Sequence, residues 1–271
     1  MVKFYESIPP NLSKWIQAQE MFWVASAPAG PSGHVNVSPK GVRDTFRIEG
    51  PNKVWYEDFT GSGSETMAHL RENGRITIMF CAFEGAPRIL RLWGTGYVHE
   101  FGTPEYDAII PPTKRRPGSR CVVVIDVKRV GTSCGTGVPH YTFVRQRPTM
   151  LDWCARLEVA DQTFDAEAPS DPDSERVVSE KGMKAWWTKE NSESLDGLPA
   201  MKSAHQTYLT PEHAPPNGEW GKNAKNRLEV INAQKKVKST PSGYAELIRL
   251  LSAFTMGLAV ATAYVKVTFA V

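Results

Sequence analysis

Asp58-Phe59-Thr60-Gly61-Ser62-Gly63-Ser64-Glu65-Thr66 joins an extended run, Lys53 to Phe59, to a run of helix formers, Met67 to Arg71. Ser62 and Glu65 have the spacing of a capping box, which predicts a helix starting at this turn. A helix start offers free backbone N–H groups and the positive end of a dipole, a setting that suits a phosphate. Gly61 and Gly63 let the backbone approach a ligand, and the hydroxyls of Thr60, Ser62, Ser64 and Thr66 can donate to it. A plain capped turn carries the same residues, so the flanks decide between the two.

Upstream, His34-Val35-Asn36-Val37-Ser38-Pro39-Lys40-Gly41 alternates as a strand does and ends in Ser, Pro and Lys. Downstream, Asn73-Gly74-Arg75 leads into the apolar run Ile76 to Phe83, and Arg88-Ile89-Leu90-Arg91-Leu92-Trp93-Gly94-Thr95-Gly96 follows. This order of segments resembles the pyridoxamine 5'-phosphate oxidase-like family of flavin-binding split barrels, and within it a fungal-type branch. The resemblance covers residues 1–160 and implies a six-stranded antiparallel split barrel, mainly β with short flanking helices. It also implies FMN held between the two barrels of a homodimer.

The residues themselves are consistent with that architecture. A helix is expected over 11–20, with Asn11 as its cap and Leu12, Trp15 and Ile16 on one face. Strands are expected over 21–27, 34–38, 45–48, 53–59, 75–84, 88–101 and 121–130. In the 75–84 run both faces are apolar, as for a strand covered on both sides. Thr103-Pro104 starts a short helix, a cap followed by proline at the first helical position. Many strands with few, short helices argue for a small antiparallel barrel.

Composition narrows the class. The 271 residues are 41% apolar, ordinary for a globular protein, and the net charge of +3 is too small to argue for nucleic acid. Lys114-Arg115-Arg116 sits among prolines and glycine and reads as a solvated loop. The four cysteines, Cys81, Cys121, Cys134 and Cys154, form no CxxC pair. Cys81 and Cys121 read as buried thiols, and a reducing, cytoplasmic-facing location fits them. The polar start reads as no signal peptide. No histidine has metal-ligand spacing, so no metal site is expected.

Two further segments are expected beyond the barrel. Residues 161–245 read as a polar extension without a core of its own, disordered in part. Trp186-Trp187 and Leu195 to Pro199 are its apolar points, either docked on the barrel or a partner subunit, or isolated in a loose tail. Residues 246–271 carry few charges, enough apolar length to cross a bilayer, and Lys235, Lys236 and Lys238 on the near flank. They read as a tail anchor inserting in a membrane, or as a helix packed on a partner.

For the cofactor, the phosphate needs cations and N–H donors. Lys40 and Ser38 end one strand, the turn from Thr60 through Gly61, Ser62, Ser64 and Glu65 to Thr66 is a second source, and Arg91 is a third. Arg91 shares a strand face with Ile89 and Trp93, so it needs an anionic partner: the ligand, or Asp58 or Glu65. The resemblance sets the Val35 to Ser38 strand beside the flavin, which brings in Asn36, Val37 and Ser38. His69 reads as exposed or capping. Cys134 reads as a tight-turn cysteine or a reactive thiol. After residue 145 the chain lacks the Arg- and His-bearing ending with which pyridoxamine phosphate oxidases grip their substrate, a departure that counts against vitamin B6 chemistry. The expected activity is an FMN-dependent oxidoreductase of unknown substrate. The alternative is a non-catalytic flavin- or haem-binding module at a membrane surface.

Overall fold

The computed structural model of the chain describes residues 2–167 and 178–213. Residues 1–215 group as one compact unit. The candidate membrane span, residues 246–271, lies outside the described residues. Among the described residues, no helix is long and apolar enough to cross a membrane.

In chain order the elements are β1 (Lys3–Tyr5), α1 (Pro10–Gln17), β2 (Phe22–Ser26), β3 (Asn36–Lys40), β4 (Phe46–Gly50), β5 (Lys53–Phe59), α2 (Glu65–Glu72), β6 (Arg75–Cys81), β7 (Ile89–Glu100), α3 (Pro104–Ile109), β8 (Ser119–Ser133), α4 (Thr149–Glu167) and α5 (Met183–Glu190). The strands form one eight-stranded antiparallel sheet, ordered β3-β2-β6-β7-β8-β5-β4, with β1 added along β8. Eight strands stand where six were expected. A wall of six, β2-β6-β7-β8-β5-β4, carries two additions: β3 pairs only with β2, and the three-residue β1 is too short to show alternation.

The wall curls into a barrel. β2 and β4 end it on opposite sides, yet the rings of Phe22 and Phe46 lie 5.1 Å apart, and Phe80 of β6 is 5.2 Å from Phe46. These contacts and the T-shaped Phe22–Tyr56 pair bring strands that are distant in the sheet around one core. Along β7, Leu90 and Leu92 are buried while Ile89, Arg91 and Trp93 are half-buried, so the second set points out of the barrel.

Helix starts differ in detail from expectation. α1 begins at Pro10 with Pro9 as its cap, not Asn11, because proline at the first turn is already set to a helical φ. Thr103 caps α3 as expected, its hydroxyl accepting from the Tyr106 N–H. The capping box at Ser62 does not form. Ser64 is the N-cap of α2, and its hydroxyl donates instead to the Glu193 carbonyl at 2.8 Å.

The region after the barrel is bound to it. The edge expected at residue 160 falls inside α4, and Met183, Trp187, Ala200, Met201 and Ala204 join the barrel's core. Gly118 shows how closely α4 lies: its φ is +75°, and a Cβ there would stand 2.3 Å from Cys154 Sγ. Buried Glu158 of α4 accepts from the Gly118 N–H and pairs with Arg115, both at 2.8 Å. Asp161 accepts from the N–H groups of Met183 and Lys184 and so caps α5, whose own N-cap, Gly182, has no side chain to do so. Glu100 at the end of β7 accepts from the N–H groups of Lys202, Ser203 and Ala204 and pairs with Arg71.

Candidate functional site

The end of β3 and the turn between β5 and α2 open on one cleft of about 1380 Å³. Ser38 and Lys40 line it from the first, and Thr60, Gly61, Ser62 and Glu65 from the second. α1 contributes Trp15. The segment that follows β8 crosses the mouth with Tyr141, Phe143, Arg145 and Arg147. The volume exceeds the range typical of small-molecule sites, roughly 300–1,000 Å³.

Inside this arrangement the charges are organised around Asp58. The Lys40 ammonium donates to Asp58 Oδ1 at 2.5 Å, and the Arg120 guanidinium donates to Oδ2 at 2.9 Å. Burial pushes the Asp58 carboxyl up, but the Lys40 and Arg120 charges outweigh it and hold it below its ordinary value. Two cations around one carboxylate leave one positive charge in excess within this cluster, and the Glu65 carboxylate lines the cleft on the turn beside it. Arg120, which the sequence reading missed, also donates to the Gly63 carbonyl and to Asn191 Oδ1. Its one visible signal is a charge opening the long apolar run of β8. Glu57, also on the wall, pairs with Arg116 through Oε2, while its buried Oε1 has no hydrogen-bond partner among the described residues.

The expected residues divide. Ser38, Lys40, Thr60, Gly61, Ser62 and Glu65 share the cleft. Asn36, Val37, Ser64, Thr66 and Arg91 do not line it. Asn36 lies one step behind: it accepts from the Ser38 hydroxyl at 3.0 Å and donates to Thr66 Oγ1 at 3.0 Å. Val37 points the other way and is 60% exposed. Ser64 is turned towards residue 193. Arg91 faces out of the barrel, and it is Arg120 that pairs with Asp58. His69 is neither exposed nor a cap. It is buried, its Nδ1 bonds the Ser26 hydroxyl at 3.0 Å, and its Nε2 has no partner; burial lowers its pKa. Cys134 is exposed, and a hydrogen bond from Thr136 lowers its pKa.

A flavin mononucleotide fits the donor set. The cleft supplies Lys40 and Arg120 charge and Ser38 and Ser62 hydroxyls for a phosphate. Trp15, Phe59, Phe83 and Met150 provide apolar surface for a flat ring. Arg88, at 5.3 Å over the Trp15 ring, sits at the same end.

The strand order and the packing of Phe22, Phe46 and Phe80 define an antiparallel split barrel. Residues 8–134 match the family described as pyridoxamine 5'-phosphate oxidase. The chain is 40% identical over 206 residues to the pyridoxamine 5'-phosphate oxidase family protein ustO of Aspergillus flavus, covering 74% of this chain and 78% of that one. The chain belongs to the pyridoxamine 5'-phosphate oxidase family. Among solved structures, a HupZ variant from Group A Streptococcus is 24% identical with a TM-score of 0.39, covering 46% of this chain and 99% of its own. A FAD-binding protein from Mesorhizobium loti is 11% identical with a TM-score of 0.33, covering 49% and 98%.

Proposed function

We propose that the chain binds FMN in this cleft, with the phosphate at the Thr60–Glu65 turn, and acts as a flavin-dependent oxidoreductase. One observation carries the reading: Ser38 and Lys40 border the same cleft as Gly61 and Ser62, although β3 and that turn are far apart in the strand order. Two segments of small, hydroxyl-bearing and cationic residues then bracket a single anionic group. Bound flavin supplies the electron transfer, and the protein orients it and controls access.

In this reading Lys40 and Arg120 hold the phosphate by charge, and Ser38 and Ser62 by hydroxyl donation. Trp15 and Phe83 stand where the ring needs cover. The large mouth beside Arg88 and Arg145 leaves room for a substrate. A homodimer completes the proposal, supported by the exposed Val35 and Val37 beside the β3 edge, 73% and 60% exposed.

The test is a visible spectrum and mass spectrum of protein purified without added cofactor, then titrated with FMN. The two bands of oxidised flavin and a released FMN mass support the reading. A Soret band would assign haem instead. A colourless protein that gains no thermal stability from FMN would refute both.

A further inference from the structure

The turn that borders the cleft is held from behind by a segment the barrel itself does not contain. α5 and the residues after it lie against the 60–65 turn, and none of Trp186, Trp187 and Asn191 lines the cleft. The Trp186 indole N–H donates to the Gly61 carbonyl at 3.1 Å, and the Asn191 amide donates to the same carbonyl at 3.0 Å. Asn191 Oδ1 accepts from Arg120 at 2.8 Å, so one side chain ties the turn to the cation beside Asp58. Trp187, fully buried, donates to Thr60 Oγ1 at 2.8 Å, and the Thr60 hydroxyl donates on to the Gly118 carbonyl.

The geometry of a peptide makes this consequential. Across a planar trans peptide the C=O and the following N–H point in opposite directions. With the Gly61 carbonyl drawn towards Trp186 and Asn191, the Ser62 N–H is turned away from them, to the side on which Gly61 and Ser62 line the cleft. Among the described residues, nothing accepts from the N–H groups of Ser62 or Gly63. A free N–H close to the Lys40 and Arg120 cations is a donor prepared for an anion, which would displace the Glu65 carboxylate that lies against Gly63.

We infer that Asn191 and Trp186 are positioning residues for the anion-binding turn, which they lock in the orientation that presents the Ser62 N–H to a phosphate monoester. The inference rests on the flavin reading and deepens it: the post-barrel segment selects the phosphorylated cofactor over the free one. Neither residue touches the ligand. Trp186 also makes a T-shaped contact with Trp153, ring centroids 4.8 Å apart.

The test compares FMN with riboflavin, which lacks only the phosphate, on full-length protein by fluorescence titration. Asn191→Leu should weaken FMN about 10- to 100-fold and riboflavin less than about 2-fold. Trp186→Phe, which removes the indole N–H and retains an aromatic ring facing Trp153, should weaken FMN about 3- to 10-fold with the same selectivity. If Asn191→Leu does not fold, Trp186→Phe decides alone. Equal loss for both ligands, or no loss for either, would overturn the positioning role while the flavin reading stands. A wild-type protein that binds neither ligand would remove the flavin reading and this inference with it.

Discussion

The barrel and the segments packed on it, residues 149–167 and 178–213, are held by different physics. The barrel is joined by apolar alternation: Phe22, Phe46, Tyr56 and Phe80 meet in its centre, and along β8 Cys121 to Ile125 are buried residue after residue. The wrap adds Trp187, Met201 and a few alanines to that core, but its fastenings are buried and polar. They are Glu100 with the 202–204 amides, Glu158 with Arg115, Asp161 with the start of α5, and Asn191 with Gly61 and Arg120. Spread apolar burial tolerates the loss of one contact. A buried polar fastening fails as a unit, because its remaining partner is left unsatisfied.

The sharpest way to break this comparison is at Glu100. Its carboxyl is pushed up by burial, but the 202–204 N–H groups and Arg71 hold it below its ordinary value, so it stabilises as the anion. Glu100→Ala should cost about 3 kcal/mol in urea unfolding. It should expose residues 191–213 to protease before the barrel strands. Equal digestion of the two regions would erase the distinction. Next in size is Gly118→Ala, where a Cβ would meet Cys154 and a positive φ is needed. The expected loss is about 2 kcal/mol, read as a lowered Tm, with α4 rather than the sheet giving way first in circular dichroism.

A smaller effect sharpens the comparison through pH. Burial raises the Asp161 pKa to about 6, only partly offset by the Lys184 and Met183 amides. A raised folded pKa means that the proton is held more tightly in the folded chain. The associated stability is fully present below pH about 4 and is lost as pH rises through about 6. Asp161→Asn should flatten that slope in unfolding measured at several pH values. An unchanged slope would place the titration elsewhere.

These contrasts also explain what the sequence made legible. β5 appears with its ends in place, and β6, β7 and β8 are recognisable, because alternation and apolar runs have a period that a barrel wall imposes. Turn chemistry at the ends of β3 and β5 likewise singles out Ser38, Lys40, Gly61 and Ser62, which line one cleft. The buried wrap was harder to read. Glu100, Glu158, Asp161 and Asn191 are polar letters, and a polar letter reads as surface until its partner is known. Arg120 was missed and Arg91 chosen for the same reason. Both are single arginines in apolar strands, and only the direction of the side chain, into the barrel end or out of its wall, tells them apart.

If the 38–40 and 60–65 segments close on one anionic ligand, binding it shields the amides of both. Amide hydrogen exchange, followed residue by residue with and without FMN, addresses it directly. The account predicts that saturating FMN slows exchange at Ser62, Gly63, Lys40 and Gly41 while the middle of β6 stays unchanged. Protection that leaves the 60–65 turn untouched, or appears only on the outer face around Arg91, would contradict it.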